Sequence, residues 1–235
     1  MGIKRLIVNA DDFGLSDGVN SGIERAHESG ILTSASLMVR APAAHAAATA
    51  AHRKLNLDLG IHLDLGEWQF NAGQWVALYE RAPLDDPIQL ENEVRAQLEM
   101  FESLIGSAPT HIDSHQHAHR NEPLKSIVSE YAGRLRVPLR HSTGGARYVG
   151  DFYGQDDRGK PYPERVSADF LIAMISNLDD GLTELCCHPA ASVDFEGTYA
   201  AERLIETETL CDPRVKQELL RSEVVLTTFM EFTIP

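Results

Sequence analysis

No apolar run in the 235-residue chain approaches the about 18 residues that a membrane-spanning helix needs, and Met-Gly-Ile-Lys-Arg leads into a strand-like segment without the apolar region of a secretory leader. A lipid anchor is also unsupported, since Leu6 stands where a myristoylation motif after Gly2 has Ser or Thr. These absences predict a cytoplasmic protein with no membrane partner. Cysteine is scarce: three residues, two of them adjacent at Cys186 and Cys187, with no Cys-x-x-Cys spacing. An odd, unpatterned set excludes a disulfide framework and predicts reduced, mostly buried thiols. Positive charge is short as well. Against 35 Asp and Glu there are 21 Lys and Arg, a net charge of −14, and no basic run compensates. A phosphate backbone would be repelled, so nucleic acid is excluded and a neutral or cationic ligand fits better. Internal repeats are missing, and the only low-complexity tract is the alanine-rich 43–51.

What is present is enough apolar residue, 43%, for a chain of this length to bury a large core, with 24% charged residues to solvate the surface. Residues 1–235 are expected to form a single α/β domain, barrel or doubly wound. Strand-like runs fall near 5–10, 34–39, 58–65, 110–116, 137–142, 182–188 and 223–229, with helix-compatible segments between most of them. That alternation predicts about seven mostly parallel strands. A first helix is expected from Asp17 or Gly18 to Ser29, stopped by Gly30, and a second from Pro42 to near Lys54. Further helices are expected over Ile88 to Ile105 and Ala168 to Leu178. Two stretches, 66–87 with both tryptophans and 144–163 rich in Gly, Asp and aromatics, have no clear period and are expected to be loops walling the site. Trp68 and Trp75 could stack on apolar sugar faces or be plain core.

The most informative segment is Asn9-Ala10-Asp11-Asp12-Phe13-Gly14, directly after Leu6-Ile7-Val8. Two adjacent carboxylates at a strand end repel each other, which predicts a cation nearby, most simply a metal ion. Histidines recur in the same context at Gly60-Ile61-His62-Leu63, in Thr110-His111-Ile112-Asp113-Ser114-His115-Gln116-His117 and at Cys187-His188-Pro189. Strands that deliver Asp or His at their carboxyl ends are what a parallel barrel or sheet does at its catalytic face. Three protein ligands with an open position suit a catalytic divalent ion, and Asp12, His62 and His115 would supply them. Such an ion polarises a carbonyl and acidifies water. Asp11 is placed to accept the proton as water attacks, and His188 is the candidate to protonate a leaving amine.

Each residue also has a structural reading. The Asp pair could form a turn or cap, and His62 could be a satisfied core histidine. Among His111, His115, His117 and His119 at least one ligand is expected, with Asp113 as an orienting partner or simply an inward polar residue. Arg140 could tune Asp11 or make a structural ion pair. His27, His45 and His52 fall in expected helices and read as surface groups.

Together, the motifs Leu6 to Gly14, Gly60 to Leu63, Pro109 to His117 and Glu184 to Pro189 resemble the YdjC-like family of carbohydrate deacetylases, across nearly the whole chain. The resemblance implies a distorted, incomplete β/α barrel and metal-dependent removal of N-acetyl groups from amino sugars, with chitobiose-type oligosaccharides the best-known substrates. By motif position it places metal ligands at Asp12, His62 and His115, the catalytic aspartate at Asp11 and a histidine at His188. It implies magnesium, whereas two imidazoles and one carboxylate favour zinc or another transition metal. Two departures touch the substrate walls: Ala190-Ala191-Ser192 stands where members commonly have Gly, and 66–87 is shorter than in chitobiose-acting relatives. The competing readings are a metal-dependent phosphoesterase and a non-catalytic sugar-binding protein that keeps barrel and ion. A homodimer is the expectation for an enzyme of this size.

Overall fold

The computed structural model describes residues 2–54, 57–142, 146–156, 158–197 and 199–231. The chain runs β1 (Lys4–Phe13), α1 (Asp17–Ser29), β2 (Ser34–Leu37), α2 (Ala44–Lys54) and β3 (Asp58–Leu63), and then makes a hairpin of β4 (Gly66–Asn71) and β5 (Gln74–Glu80). It continues with α3 (Pro87–Ile105), β6 (Ile112–Ser114), α4 (Leu124–Leu135), β7 (Arg147–Val149), α5 (Ala168–Ser176), β8 (Gly181–Cys187), α6 (Ala201–Leu210), α7 (Pro213–Arg221) and β9 (Val224–Leu226). Among the described residues no helix is long and apolar enough to cross a membrane.

Seven strands form one sheet, six in the order β6-β3-β2-β1-β8-β7 and the seventh, β9, paired to β1, and every pairing in it is parallel. Along one side of β1, β9 pairs with Lys4–Leu6 while β2 pairs from Asn9 onward, so the two strands share one edge at different heights. The sheet therefore curls without closing, as an incomplete α/β barrel. Its strands carry burial on both faces: Leu6 to Phe13 is buried throughout, as are all of β2 and β3. That is the expected signature of a parallel sheet covered by helices. Helix ends follow local chemistry. The Ser16 side chain caps α1 by accepting from the Val19 amide, and Asp86 caps α3 ahead of Pro87 at its first turn.

Two expectations are corrected. The region 66–87 is not a structureless loop, because β4 and β5 pair antiparallel around Ala72 and Gly73, both with positive φ, 49° and 89°. Positive φ at both central residues gives the twist that a two-residue hairpin needs. Every residue of β5 is exposed, so no buried face imposed an alternating pattern on the sequence. The second correction concerns 137–142, which contributes only a bridge from Leu139 to Ile112 rather than a strand. Pro138 has no N–H with which to extend the ladder. In the irregular 144–163 stretch, β7 adds three residues to the sheet; Gly144, Gly145 and Asp157 lie outside the described residues.

Candidate active site

All five residues singled out from sequence meet at the carboxyl end of the sheet. Asp11 and Asp12 end β1, His62 lies near the end of β3, and His115 and His188 follow β6 and β8 directly. Register does much of this. His62 is the sheet partner of Asp113, and Ala10 pairs with Cys187, so Asp11 and His188 each come one residue later. Adjacent aspartates diverge because β1 is irregular between Ala10 and Phe13 and Asp12 has φ 65°. A bulge of this kind re-aims a side chain, and Asp tolerates the left-handed region better than most residues.

Asp12, His62 and His115 each offer one donor atom within 4.8 Å of the others. The Asp12 Oδ1 atom is 3.3 Å from His62 Nε2 and 3.2 Å from His115 Nδ1. The His62 Nδ1 atom lies 2.6 Å from Asp113 Oδ1, which orients the ring and turns Nε2 toward Asp12. Burial alone would lower the His62 pKa, but Asp113 and Asp11 beside it raise it well above the ordinary range. Positive charge is thus favoured at this spot, and oxygen and imidazole donors are the right chemistry for a divalent ion. On its other oxygen Asp12 accepts from Arg203 Nη2. Burial raises the Asp12 carboxyl, yet Arg203 and the two imidazoles hold it well below the carboxylate range.

Asp11 is gripped by Arg140, whose Nη1 and Nη2 donate to its two oxygens at 2.7 and 2.8 Å. Asn9 donates to Asp11 Oδ1 at 2.9 Å, leaving Oδ2 the less occupied oxygen. Arg140 also reaches Asp113 at 2.8 Å and Glu184 at 2.7 Å, so one buried guanidinium balances three carboxyls. Against the effect of burial, Arg140 and His62 hold Asp11 ionised far below its ordinary pKa. Burial raises Glu184 to about 7. The histidine cluster divides by role. His111 stacks on Phe229 at 3.9 Å and lies 2.9 Å from Ser36 Oγ, a core position that requires Gly60, where a Cβ would sit 2.4 Å from the ring. His119 binds Ser114 and the Arg140 carbonyl, which fixes the segment carrying that arginine. His117 borders the cavity beside the Tyr148 hydroxyl, at 3.1 Å. His45 and His52 are exposed, as expected, and His27 is half-buried.

A cavity of about 390 Å³ opens beside this cluster, lined by Asp12, His115 and His188 together with Tyr148, Tyr153 and Phe195. The hairpin is tied to it, since the Gln116 side chain both donates to and accepts from the Trp68 backbone. Trp75 stays 59% exposed on that hairpin.

Sequence reasoning missed Arg203 and Glu206 on α6. Nothing in the sequence marked them, for only packing shows that Glu202, Arg203, Glu206 and Thr207 are buried while Leu204 and Ile205 are 36% and 37% exposed, the reverse of an ordinary amphipathic helix. The inward polar face serves the site. The Glu206 carboxyl accepts the His188 backbone N–H and the Tyr199 hydroxyl, and Arg203 packs over the Phe195 and Tyr199 rings. Burial raises Glu206 from 4.5 to about 8, partly offset by those donors and by Arg203. A raised folded-state pKa contributes stability that is complete below pH 4.5 and lost as pH climbs through 8. Glu206→Gln, neutral throughout, is expected to abolish that slope, so its thermal midpoint gains on the parent by several degrees from pH 5 to pH 9. Parallel midpoint curves would show that Glu206 is already ionised in the fold. For His188, burial lowers the pKa to about 4, so the ring is neutral near pH 7.

An incomplete α/β barrel that gathers carboxylates and imidazoles at the carboxyl ends of its strands falls in the class of α/β proteins whose active sites are built at that face. Within it, this chain belongs to the YdjC-like protein family, whose model matches residues 5–221. A carbohydrate deacetylase of Geobacillus stearothermophilus is 35% identical, with 96% of this chain and 97% of that protein covered. Among solved structures, a protein of Enterococcus faecalis V583 provisionally assigned to cellobiose-phosphate cleavage superposes with TM-score 0.75 at 25% identity, covering 97% and 98% of the two chains. The family 4 carbohydrate esterase of Streptomyces lividans, solved with acetate, shares the fold at TM-score 0.55 and 15% identity, over 97% and 92%.

Proposed function

We propose that the protein is a metal-dependent hydrolase that removes the acetyl group from the nitrogen of an amino sugar or short N-acetylated oligosaccharide. One observation carries this reading: a carboxylate and two imidazoles converge beside a cavity that Asp12 and His115 line, with a second carboxylate and a further imidazole next to them. The carbohydrate deacetylase name of the 35% identical relative supports it. In this reading Asp12, His62 and His115 hold the ion, and residues 1–235 act as one domain.

A divalent cation bound there supplies Lewis acidity, polarising the amide carbonyl and making water a better nucleophile at neutral pH. The chain's own residues manage the protons. Asp11 is ionised and keeps a lone pair on Oδ2, so it can take the proton of the attacking water. Asp11 and His188 present donor atoms within 4.8 Å of each other. That span admits one bridging water, through which the proton can pass to the neutral His188 ring and on to the departing nitrogen. Arg140 holds Asp11 in place, and Asp113 orients His62.

A phosphoesterase is the second reading; the provisional assignment of the Enterococcus protein names a phosphorylated sugar but not the bond that is cleaved. Phosphate would need cationic clamps. Arg203 is the one Lys or Arg lining this cavity among the described residues, and it is engaged by Asp12. Amide hydrolysis fits the donor set better. The test is acetate release from N-acetylglucosamine and its short oligomers with added magnesium, zinc, manganese or cobalt. Release of phosphate from sugar phosphates without acetate would replace the deacetylase reading, and sugar binding without turnover would make the protein a binder. Asp12→Asn is expected to lose the ion on dialysis and to drop turnover beyond the roughly 10–100-fold typical of residues one step removed from a metal. Metal analysis that shows full retention would remove Asp12 from the ligand set.

A further inference from the structure

Beside the Asp12 cluster lies a second group of donors of different character. One atom from each of Asp11, Cys186 and His188 lies within 4.8 Å of the other two. The sheet sets their spacing, for Asn9 pairs with Cys186 and Ala10 with Cys187 along β1 and β8. Cys186 and His188 both line the cavity. Two details point to a ligand. The His188 Nδ1 atom is buried with no hydrogen-bond partner, and Asp11 Oδ2 accepts from Arg140 at 2.7 Å while Oδ1 accepts from both Arg140 and Asn9. The neighbouring Cys187 is committed to the scaffold, donating to the Asn9 carbonyl, whereas Cys186, 2% exposed beside the Tyr148 hydroxyl, borders the cavity. A third combination, Asp11 with His62 and Asp113, is already filled by the His62 to Asp113 contact and by Arg140 between the two carboxylates.

We infer that Asp11, Cys186 and His188 form a second cation site, selective for soft divalent ions such as zinc or cadmium, whose occupation shuts the enzyme off. Sulfur, nitrogen and oxygen donors together suit these ions, whereas magnesium takes oxygen ligands and leaves a thiol alone. Burial keeps the Cys186 thiol protonated in the absence of a cation. On capture the S–H proton leaves to solvent and the sulfur lone pair forms the metal bond, with no change of oxidation state. The inhibitory consequence rests on the proposed function. An ion here occupies both the group that takes the water proton and the group that passes it on. Turnover is thus expected to rise with low zinc, as the Asp12 cluster fills, and to fall with excess zinc, while magnesium produces no fall.

Cadmium alone, added to the whole protein, tests the site without reference to activity. The parent chain is expected to bind two ions by equilibrium dialysis and to develop a thiolate-to-cadmium absorption band in the ultraviolet as the second enters. Cys186→Ser is expected to bind one ion, without the band, and to raise the zinc inhibition constant by at least about tenfold whatever its basal rate. Zinc X-ray absorption on the unaltered protein gives a reading independent of that variant's folding, with one sulfur neighbour at about 2.3 Å for the second ion. A single ion without sulfur contact in the parent, or an unchanged band in Cys186→Ser, overturns the proposal. Two ions and a band in a protein that releases no acetate would uphold the site and reject the deacetylase reading instead.

Discussion

Arg140→Met is expected to destabilise the fold by about 3–5 kcal/mol, the scale for removing one partner of a buried charge pair. The guanidinium is 1% exposed and reaches Asp11, Asp113 and Glu184, all within 2.8 Å. Methionine fills similar volume but satisfies none of them, so up to three buried carboxyls lose their counter-charge. Glu184, already raised to about 7, can escape by taking a proton; Asp11 and Asp113, which depend on Arg140 for their lowered values, then rise toward protonation. The deficit should shrink as pH falls, because protonating these carboxyls in the variant removes the uncompensated charge. Urea denaturation at pH 5 and pH 8 measures both effects. Equal midpoints for parent and variant at pH 8 would show that water or rearrangement replaces the guanidinium. Adding Glu184→Gln to Arg140→Met should recover part of the loss, since residues sharing one partner are not additive.

Asp11→Asn carries the largest expected effect on chemistry. Loss of a general base typically costs about 10²–10⁴ in rate, and the substitution keeps the shape of the side chain and one acceptor for Arg140. Acetate release should fall by that amount while divalent-ion affinity stays within a few-fold, because the proposed ligands are Asp12, His62 and His115. His188→Ala should act similarly, with turnover lost and the ion retained, and the double variant should be little worse than either single one, as for groups that act as a unit. Unchanged turnover in Asp11→Asn would remove it as the base. Loss of the ion from His188→Ala would move that histidine into the ligand set.

The placement of the candidate site was legible because a parallel sheet brings its strand ends to one face. Asp11, Asp12, His62, His115 and His188 could each be assigned to a strand end, and the register of β1 with β8 and of β3 with β6 brings those ends together. Arg140 was visible as a strand-end cation, though not that it would serve Asp113 and Glu184 as well. Arg203 and Glu206 were missed because helix α6 turns its polar face inward, which looks like ordinary solvent-facing polarity until the packing is known. The hairpin was missed because its exposed strand has no buried face to impose a period.

The sequence by itself determined the parallel α/β architecture, the absence of a disulfide framework and the identity of the strand-end donors, since these follow from local periodicity and residue chemistry. Tertiary structure alone decided which histidine serves what. His111 and His119 share a motif with His115, yet stacking on Phe229 and hydrogen bonding to Ser114 commit them to the scaffold. It also decided that Asp11 and Asp12 part company, one to Arg140 and the other to Arg203 and two imidazoles. Spacing along a chain sets which side chains can leave a strand together. Only the curl of the sheet and the partners arriving from distant segments set where they point.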